Sequence, residues 1–276
     1  MEQFFFIEAA GAALLGAILG SFVNALSFRF GTGLGMGGRS HCMRCAHTLR
    51  PLDLVPVLSF LCLRGACRYC GTKISLQYPL VECAAAALSL AVFAQNQALP
   101  AYALALAMWM ALLFMVIYDL RHLSLPVPAL WTVGILGLLS TALSCGTAGF
   151  CHVAIPSSLS LWAGPAVAAP LLLFSAVSRG RWMGWGDGLL AIGLGWFVGL
   201  TPGITALCIA FWSGAIVGLS LIGISRLKTG KGASRFGTRS QTGFTMVSEI
   251  PFAPFLLFGT GIVYFFHVDL FSLLLT

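Results

Sequence analysis

Asp119, in the pair Tyr118-Asp119, and Asp187, closing the run Gly184-Trp185-Gly186-Asp187, lie at the ends of apolar segments in a chain whose spans hold almost no other acids. A carboxylate at membrane depth costs about 3 kcal/mol on insertion scales, so a chain keeps one where it faces protein, water or a reacting group. Two carboxylates that share one proton form an acid and base pair: the ionised partner takes a proton from water while the protonated partner polarises a carbonyl. Such a dyad titrates as a unit. A single Asp at a helix end is more often an interfacial residue or a cap, so the chemistry requires elements that bring both together.

Four cysteines make a second constellation. Cys42-Met43-Arg44-Cys45 and Cys67-Arg68-Tyr69-Cys70 are two C-x2-C pairs with twenty-one residues between the inner cysteines. Each pair forms a knuckle that aims two thiolates at one point, and two knuckles complete a tetrahedral zinc site. The surrounding segment is too short to bury much apolar surface, so a metal is expected to substitute for a core. Disulfides are the poorer reading in a reducing compartment. His41 and His47 flank the first knuckle as competing ligands, although four cysteines suffice. Cys62, Cys83 and Cys208 read as small buried hydrophobes. Cys145 and Cys151 share a short loop on the opposite side, where an oxidising medium would allow them to pair.

The elements that position these groups are helices in a bilayer. With 59% hydrophobic and 8% charged residues over 276 positions, the chain departs from soluble domains, in which roughly a quarter of residues are charged. The expected fold is all-α and polytopic. Eight apolar stretches, 4–26, 79–95, 101–118, 124–143, 159–177, 185–200, 203–225 and 251–272, approach the length that crosses a bilayer core, the sixth being the weakest. Met1 to Glu8 contains two glutamates and no Lys or Arg, unlike a signal-peptide n-region, so the first run is expected to be a retained helix. The expected organisation is a first helix at 1–26, a zinc-binding loop domain with its four cysteines at 27–78 and a transmembrane core at 79–276 that carries both aspartates.

Charge then orients the bundle. Eight spans put the loops 27–78, 119–123, 178–184 and 226–250 on one side, and these hold all fifteen Lys and Arg residues, from Arg29 to Arg239. The opposite loops, 96–100, 144–158 and 201–202, hold none, so the positive-inside rule puts the basic side, both aspartates and the cysteine loop in the cytoplasm. The net charge of +7 is accounted for by anionic lipid headgroups, and no interleaved aromatic and basic stretch suggests nucleic acid as a partner.

An ordered series of motifs accompanies these groups. The first helix ends Gly20-Ser21-Phe22-Val23-Asn24; the paired C-x2-C loop follows, then Gln77-Tyr78-Pro79-Leu80-Val81-Glu82, Tyr118-Asp119 with Leu125-Pro126, Gly184-Trp185-Gly186-Asp187, and Pro251-Phe252-Ala253-Pro254-Phe255. Over nearly its whole length the chain resembles the type IV prepilin peptidases, bifunctional leader peptidases and N-methyltransferases of the GxGD class of intramembrane aspartyl peptidases. The resemblance implies Asp119 and Asp187 as the catalytic pair, with Gly184 and Gly186 admitting substrate backbone beside Asp187. It departs at three positions. Leu189 stands where a lysine usually follows the second aspartate, Val127 where an acidic or amide residue is common, and Ala253 where glycine is usual.

The resemblance also implies a substrate and a second activity. Members cleave a short basic leader from prepilins and pseudopilins at the cytoplasmic face of the bacterial inner membrane, and many then methylate the new N-terminus using S-adenosylmethionine. The zinc-bearing loop is associated with that transfer, and Gly20, Asn24 and Glu82 are its candidate residues here. Glu82 is also a candidate partner for a basic residue of the loop. No strand, Gly-rich loop and helix unit of a Rossmann methyltransferase is visible. Two other classes fit parts of the pattern: a transporter with Gly-broken helices, which an internal repeat would have favoured, and a non-enzymatic zinc-bearing assembly factor of a pilus or secretion system, which Leu189 favours.

Overall fold

A computed structural model describes residues 2–31, 38–95, 98–145, 151–153, 155–181, 183–229 and 251–270. Its helices are α1 (Glu2–Arg29), α2 (Leu58–Cys62), α3 (Gln77–Phe93), α4 (Leu99–His122), α5 (Val127–Ala142), α6 (Ser158–Ser178), α7 (Trp185–Val198), α8 (Leu200–Thr229) and α9 (Ala253–Phe266). A 3-10 turn covers Pro51–Leu54, and a hairpin pairs β1 (Leu143–Cys145) with β2 (Cys151–Val153). Each of the eight expected spans coincides with one apolar helix. The weakest, 185–200, is α7, which Gly199 ends by taking φ 96°. Four helices, α1, α4, α6 and α8, are long and apolar enough to cross a membrane by length and composition; α3, α5, α7 and α9 are shorter apolar helices.

Three boundaries differ from expectation. Asp119 lies within the last turn of α4, which runs on to His122, and Leu123 ends it with φ 50° and an N–H donated to the Asp119 carbonyl at 2.9 Å. The last span closes at Phe266, where His267 adopts φ 52°. The 144–158 loop contains the β hairpin, in which Cys145 stands opposite Cys151 and Cys151 is disulfide-bonded. Residues 230–250, including Lys231, Arg235 and Arg239 of the fourth basic loop, lie outside the described residues.

The chain forms two compact units. The first comprises residues 1–117 and 142–155, and the second 118–141 and 156–276. In the first, α1 and α3 pack along a stripe of small residues: Ala12, Gly16, Gly20 and Asn24 recur every fourth position on the buried face of α1. A Cβ on Gly16 would fall 2.5 Å from Ala85 O, and one on Gly20 2.5 Å from Ala85 Cβ. Close backbone approach of this kind is how apolar helices associate where no hydrophobic driving force separates them from lipid. Ser89 of α3 donates to Ala12 O at 2.6 Å and lies 2.9 Å from the Tyr102 hydroxyl of α4, which ties three helices at one buried hydroxyl.

In the second unit α6 packs on α7, and α8 on α9. Ser157 caps α6 by accepting the Ser160 N–H at 3.2 Å. Pro165 and Pro170 lie inside α6, a placement membrane helices tolerate when neighbours satisfy the freed carbonyls. Gly188 and Gly195 of α7 face Leu172 and Gly164 of α6, and Gly193 of α7 abuts Gly137 of α5. This glycine-lined seam fixes the depth of α7, and with it the place of Asp187 in its first turn.

Candidate active site and cysteine centre

Both aspartates belong to the second unit, and the fold brings their segments together: Leu125, six residues past Asp119, packs against Gly186, the neighbour of Asp187. Asp119, in the last turn of α4, is 5% exposed. Its Oδ2 accepts the backbone N–H of Ala253 at 3.2 Å. Ala253 is the first residue of α9, and the leading N–H groups of a helix have no partner within it, so this carboxylate occupies a ready donor at the positive end of the helix. The Pro251–Phe255 motif is thereby explained, since its middle residue supplies a backbone donor to the first aspartate. Alanine supplies that N–H as well as the usual glycine does.

Asp187 is the third residue of α7, half-buried, with Gly184 as the N-cap. Gly184 has φ −68°, and neither it nor Gly186 has positive φ. Their use is therefore spatial. A Cβ on Gly186 would come 3.1 Å from the Leu125 Cβ, so Leu125-Pro126, just downstream of Asp119, packs onto the turn that carries Asp187. Ser175 of α6, fully buried, turns its hydroxyl to the carbonyls of Met183 at 3.1 Å and Gly184 at 3.2 Å. It pins the segment that presents Asp187. Sequence reading missed it, because a serine inside an apolar helix carries no positional signal. Leu189 is 44% exposed on α7 and does not face the core.

In the first unit the four cysteines Cys42, Cys45, Cys67 and Cys70 converge, with ligand atoms all within 4.8 Å of one another. The Cys42 and Cys70 sulfurs are 3.8 Å apart, which matches the separation of about 3.8 Å that two thiolates take on tetrahedral zinc at about 2.3 Å. The two knuckles repeat one another. His41 bridges Thr48 and Ala66 bridges Lys73; Cys42 N–H donates to His47 O and Cys67 N–H to Thr72 O; Ala46 and Gly71 follow the second cysteine of each pair at φ 54° and 69°. His41 and His47 are not part of the cluster. His47 stacks on Tyr69 with ring centroids 3.7 Å apart, and His41 Nδ1 lies 3.4 Å from Arg39 O.

The electrostatics of the cluster call for a cation. The Thr72 hydroxyl and then the Thr72 backbone N–H hold the Cys70 thiol down at about 6. Arg44 donates to Thr72 Oγ1 at 3.3 Å, which leaves the Thr72 proton to point at the Cys70 sulfur, 3.2 Å away. Backbone N–H groups of Cys45 and Arg44 likewise lower Cys42. Cys45 goes the other way: although the His47 N–H pulls it down, desolvation and the neighbouring sulfurs of Cys42 and Cys70 carry it up to about 11. Four thiolates cannot be charged together without a positive centre to offset them.

Asp53, which sequence reading passed over, holds the second knuckle in place. Its carboxylate accepts the Arg50 N–H at 3.1 Å and the Tyr69 hydroxyl at 3.2 Å, and pairs with Arg68 Nε at 2.9 Å. Both residues between Cys67 and Cys70 are thus clasped by one buried acid. Asn24 Oδ1 accepts Gln77 Nε2 at 2.9 Å, and Asn24 Nδ2 is fully buried with no hydrogen-bond partner among the described residues. Glu82, five residues from Gln77, accepts the Val57 N–H at 2.7 Å. Its partner in the loop is a backbone group, in place of the basic side chain expected. Gly20 lies in the α1–α3 contact described above. Cys62 and Cys83 are exposed, against the expectation of burial, and Cys208 is half-buried; on the apolar helices that carry Cys83 and Cys208, surface that faces lipid needs no protein cover.

The family model of the bacterial peptidase A24 N-terminal domain matches residues 14–96. A prepilin leader peptidase/N-methyltransferase of Burkholderia pseudomallei (strain K96243) is 31% identical over 97% of this chain and 88% of its own length. Proteins of the same name from Bacillus subtilis (strain 168), 29% identical over 94% of both chains, and Pseudomonas putida, 30% identical over 80% of this chain and 83% of its own, are also similar. No solved structure matches.

Proposed function

The chain belongs to the prepilin leader peptidase/N-methyltransferase family, and from that premise we propose that it removes the short basic leader of type IV prepilins and pseudopilins through the dyad Asp119 and Asp187. The observation that carries this reading is the packing in one unit of the segments that bear two acids 68 residues apart in sequence, one of them held by the N-terminus of α9. The ionised carboxylate takes a proton from water as the oxygen attacks the scissile carbonyl, and the protonated one donates to the carbonyl oxygen as it becomes an oxyanion. As the C–N bond breaks, the proton taken from water passes from its carboxyl to the departing amide nitrogen, and the other carboxylate recovers its proton from the former carbonyl oxygen as the new carboxyl group forms. The Ala253 N–H orients Asp119, Ser175 holds the turn before Asp187, Gly184 leaves space beside it for substrate backbone, and the missing Cβ of Gly186 gives its room to Leu125 instead.

The basic loops support a cytoplasmic placement of the dyad and the cysteine loop in the bacterial inner membrane. There the leader is uncut while the apolar helix of the substrate stays in the bilayer. Cys42, Cys45, Cys67 and Cys70 would hold zinc, which would brace the loop domain of residues 27–78 together with the Asp53 contacts. S-adenosylmethionine, when bound, supplies the methyl group for the new N-terminus. Gly20, Asn24 and Glu82 are assigned to that transfer, supported by Asn24 Nδ2, a buried donor without a hydrogen-bond partner among the described residues. The alternative, a zinc-bearing assembly factor without catalysis, rests on Leu189, which removes the customary charge next to the dyad.

Asp119→Asn and Asp187→Asn test the proposal. Each keeps size and removes the ionisable group, so cleavage of a prepilin in liposomes should fall about a thousandfold or more while insertion and metal content are retained. Near-normal cleavage by either variant would sink the dyad, and an inactive parent protein would favour the assembly factor.

A further inference from the structure

The short helix α2 exposes an apolar face in a loop that sequence places in water. Leu58 and Leu61 are 61% and 63% exposed, and Cys62 beside them is exposed as well. Spacing of three and four residues puts all three on one side of the helix. The aromatic residue of the same helix, Phe60, goes the other way: a Cβ on Gly65 would touch its ring at 3.0 Å. The fold has therefore put one apolar side chain inward and left three outward.

The depth of α2 follows from Glu82. Helix α3 has 17 residues, about 25 Å at about 1.5 Å per residue, which is less than the roughly 30 Å of a hydrocarbon core. If α3 crosses, its first turns already lie at the apolar boundary, and Glu82 is in the second turn. The carboxylate there accepts the Val57 N–H at 2.7 Å, so the loop backbone is drawn down to that level immediately before α2 begins. Val57 adopts φ 61° and ψ −50° in a three-residue turn closed by Leu58 N–H to Pro56 O at 2.6 Å. A β-branched residue is rarely found in that conformation, and here the bond to Glu82 holds it. At the same end of α3, Leu76 and Leu80 are 68% and 66% exposed and continue into a lipid face of Cys83, Ala87 and Leu90. Arg64, two residues past α2, is exposed where anionic headgroups would meet it.

We infer that α2 is an interfacial helix, laid by the Glu82–Val57 bond into the leaflet that α3 enters, with Leu58, Leu61 and Cys62 against acyl chains and Arg64 at the headgroups. The occupant of the face is the bilayer itself. This rests on α3 crossing the membrane and is independent of the peptidase reading.

The test uses the full-length, zinc-loaded protein with Cys83→Ala and Cys208→Ala, labelled at native Cys62 with bimane and reconstituted in vesicles of phosphatidylcholine and phosphatidylglycerol. A control carries Cys62→Ala and the label at Lys73→Cys, an exposed loop position. Nitroxide on the upper acyl chain should quench the Cys62 label strongly, and aqueous iodide should quench it severalfold less than the control. Zinc content equal to that of the parent shows that the loop is folded. Equal iodide quenching at both positions would overturn the inference. So would protection of Cys62 that arises only on adding a prepilin peptide or only at protein densities where copies associate, since the face would then belong to a protein partner.

Discussion

The backbone N–H of Ala253 donates to Oδ2 of Asp119 at 3.2 Å across 134 positions of sequence. A helix N-terminus thus meets a carboxylate at the edge of an apolar bundle, where its partial positive charge is least screened. The bond depends on the main chain and on the room that a small side chain leaves.

Ala253→Gly should therefore keep peptidase activity within a few-fold of the parent, because the donor remains. Ala253→Leu should reduce it by about a hundredfold, since the position is 1% exposed and a larger side chain pushes the start of α9 away from Asp119. Turnover of a prepilin substrate, with zinc content as the control for folding, decides this. Equal activity in the leucine variant would remove the Ala253 bond from the mechanism.

Ser175→Ala removes the hydroxyl that ties α6 to the carbonyls of Met183 and Gly184. Leaving such groups unpartnered costs about 1–3 kcal/mol. The expected result is a lowered melting temperature with slower cleavage, and Ser175→Thr should restore part of both because it keeps the donor. A thermal scan and a rate that match the parent for the alanine variant would show that the segment before Asp187 is held by other contacts.

Asp53→Ala should weaken zinc binding by about tenfold, the lower end of what loss of a supporting shell costs. Arg68 and Tyr69, between Cys67 and Cys70, lose their common acceptor while all four thiols stay in place. Chelator competition measures this directly. Unchanged affinity would mean that the second knuckle is held by its own backbone bonds.

In the metal-free protein Cys70 should alkylate at a pH where ordinary thiols are inert. Its pKa of about 6 lies below the usual 9.0, so the Thr72 bonds stabilise the folded loop above the ordinary value, and that contribution is lost as pH falls through about 6. Rates followed by peptide mass mapping should be half-maximal near pH 6 at Cys70 and much higher at Cys45. A Cys70 midpoint near the ordinary value would contradict the hydrogen-bond assignment, and Thr72→Val should produce that midpoint.

Periodicity and spacing were enough for much of this protein. Two C-x2-C pairs define their own convergence, because each knuckle needs only local turns, and Ala46 and Gly71 supply the left-handed residue in each. Apolar runs located all eight apolar helices, the four long and the four shorter, since in lipid the backbone must satisfy itself. Other features depended on contacts between distant segments. The donor on Asp119, the serine behind Asp187, the clasp of Asp53 on the second knuckle and the bond from Glu82 to Val57 each join residues whose types are unremarkable in their own windows. A buried acid or hydroxyl finds its partner wherever the packing of glycine-lined helices leaves one, and that packing exists only in the assembled tertiary structure.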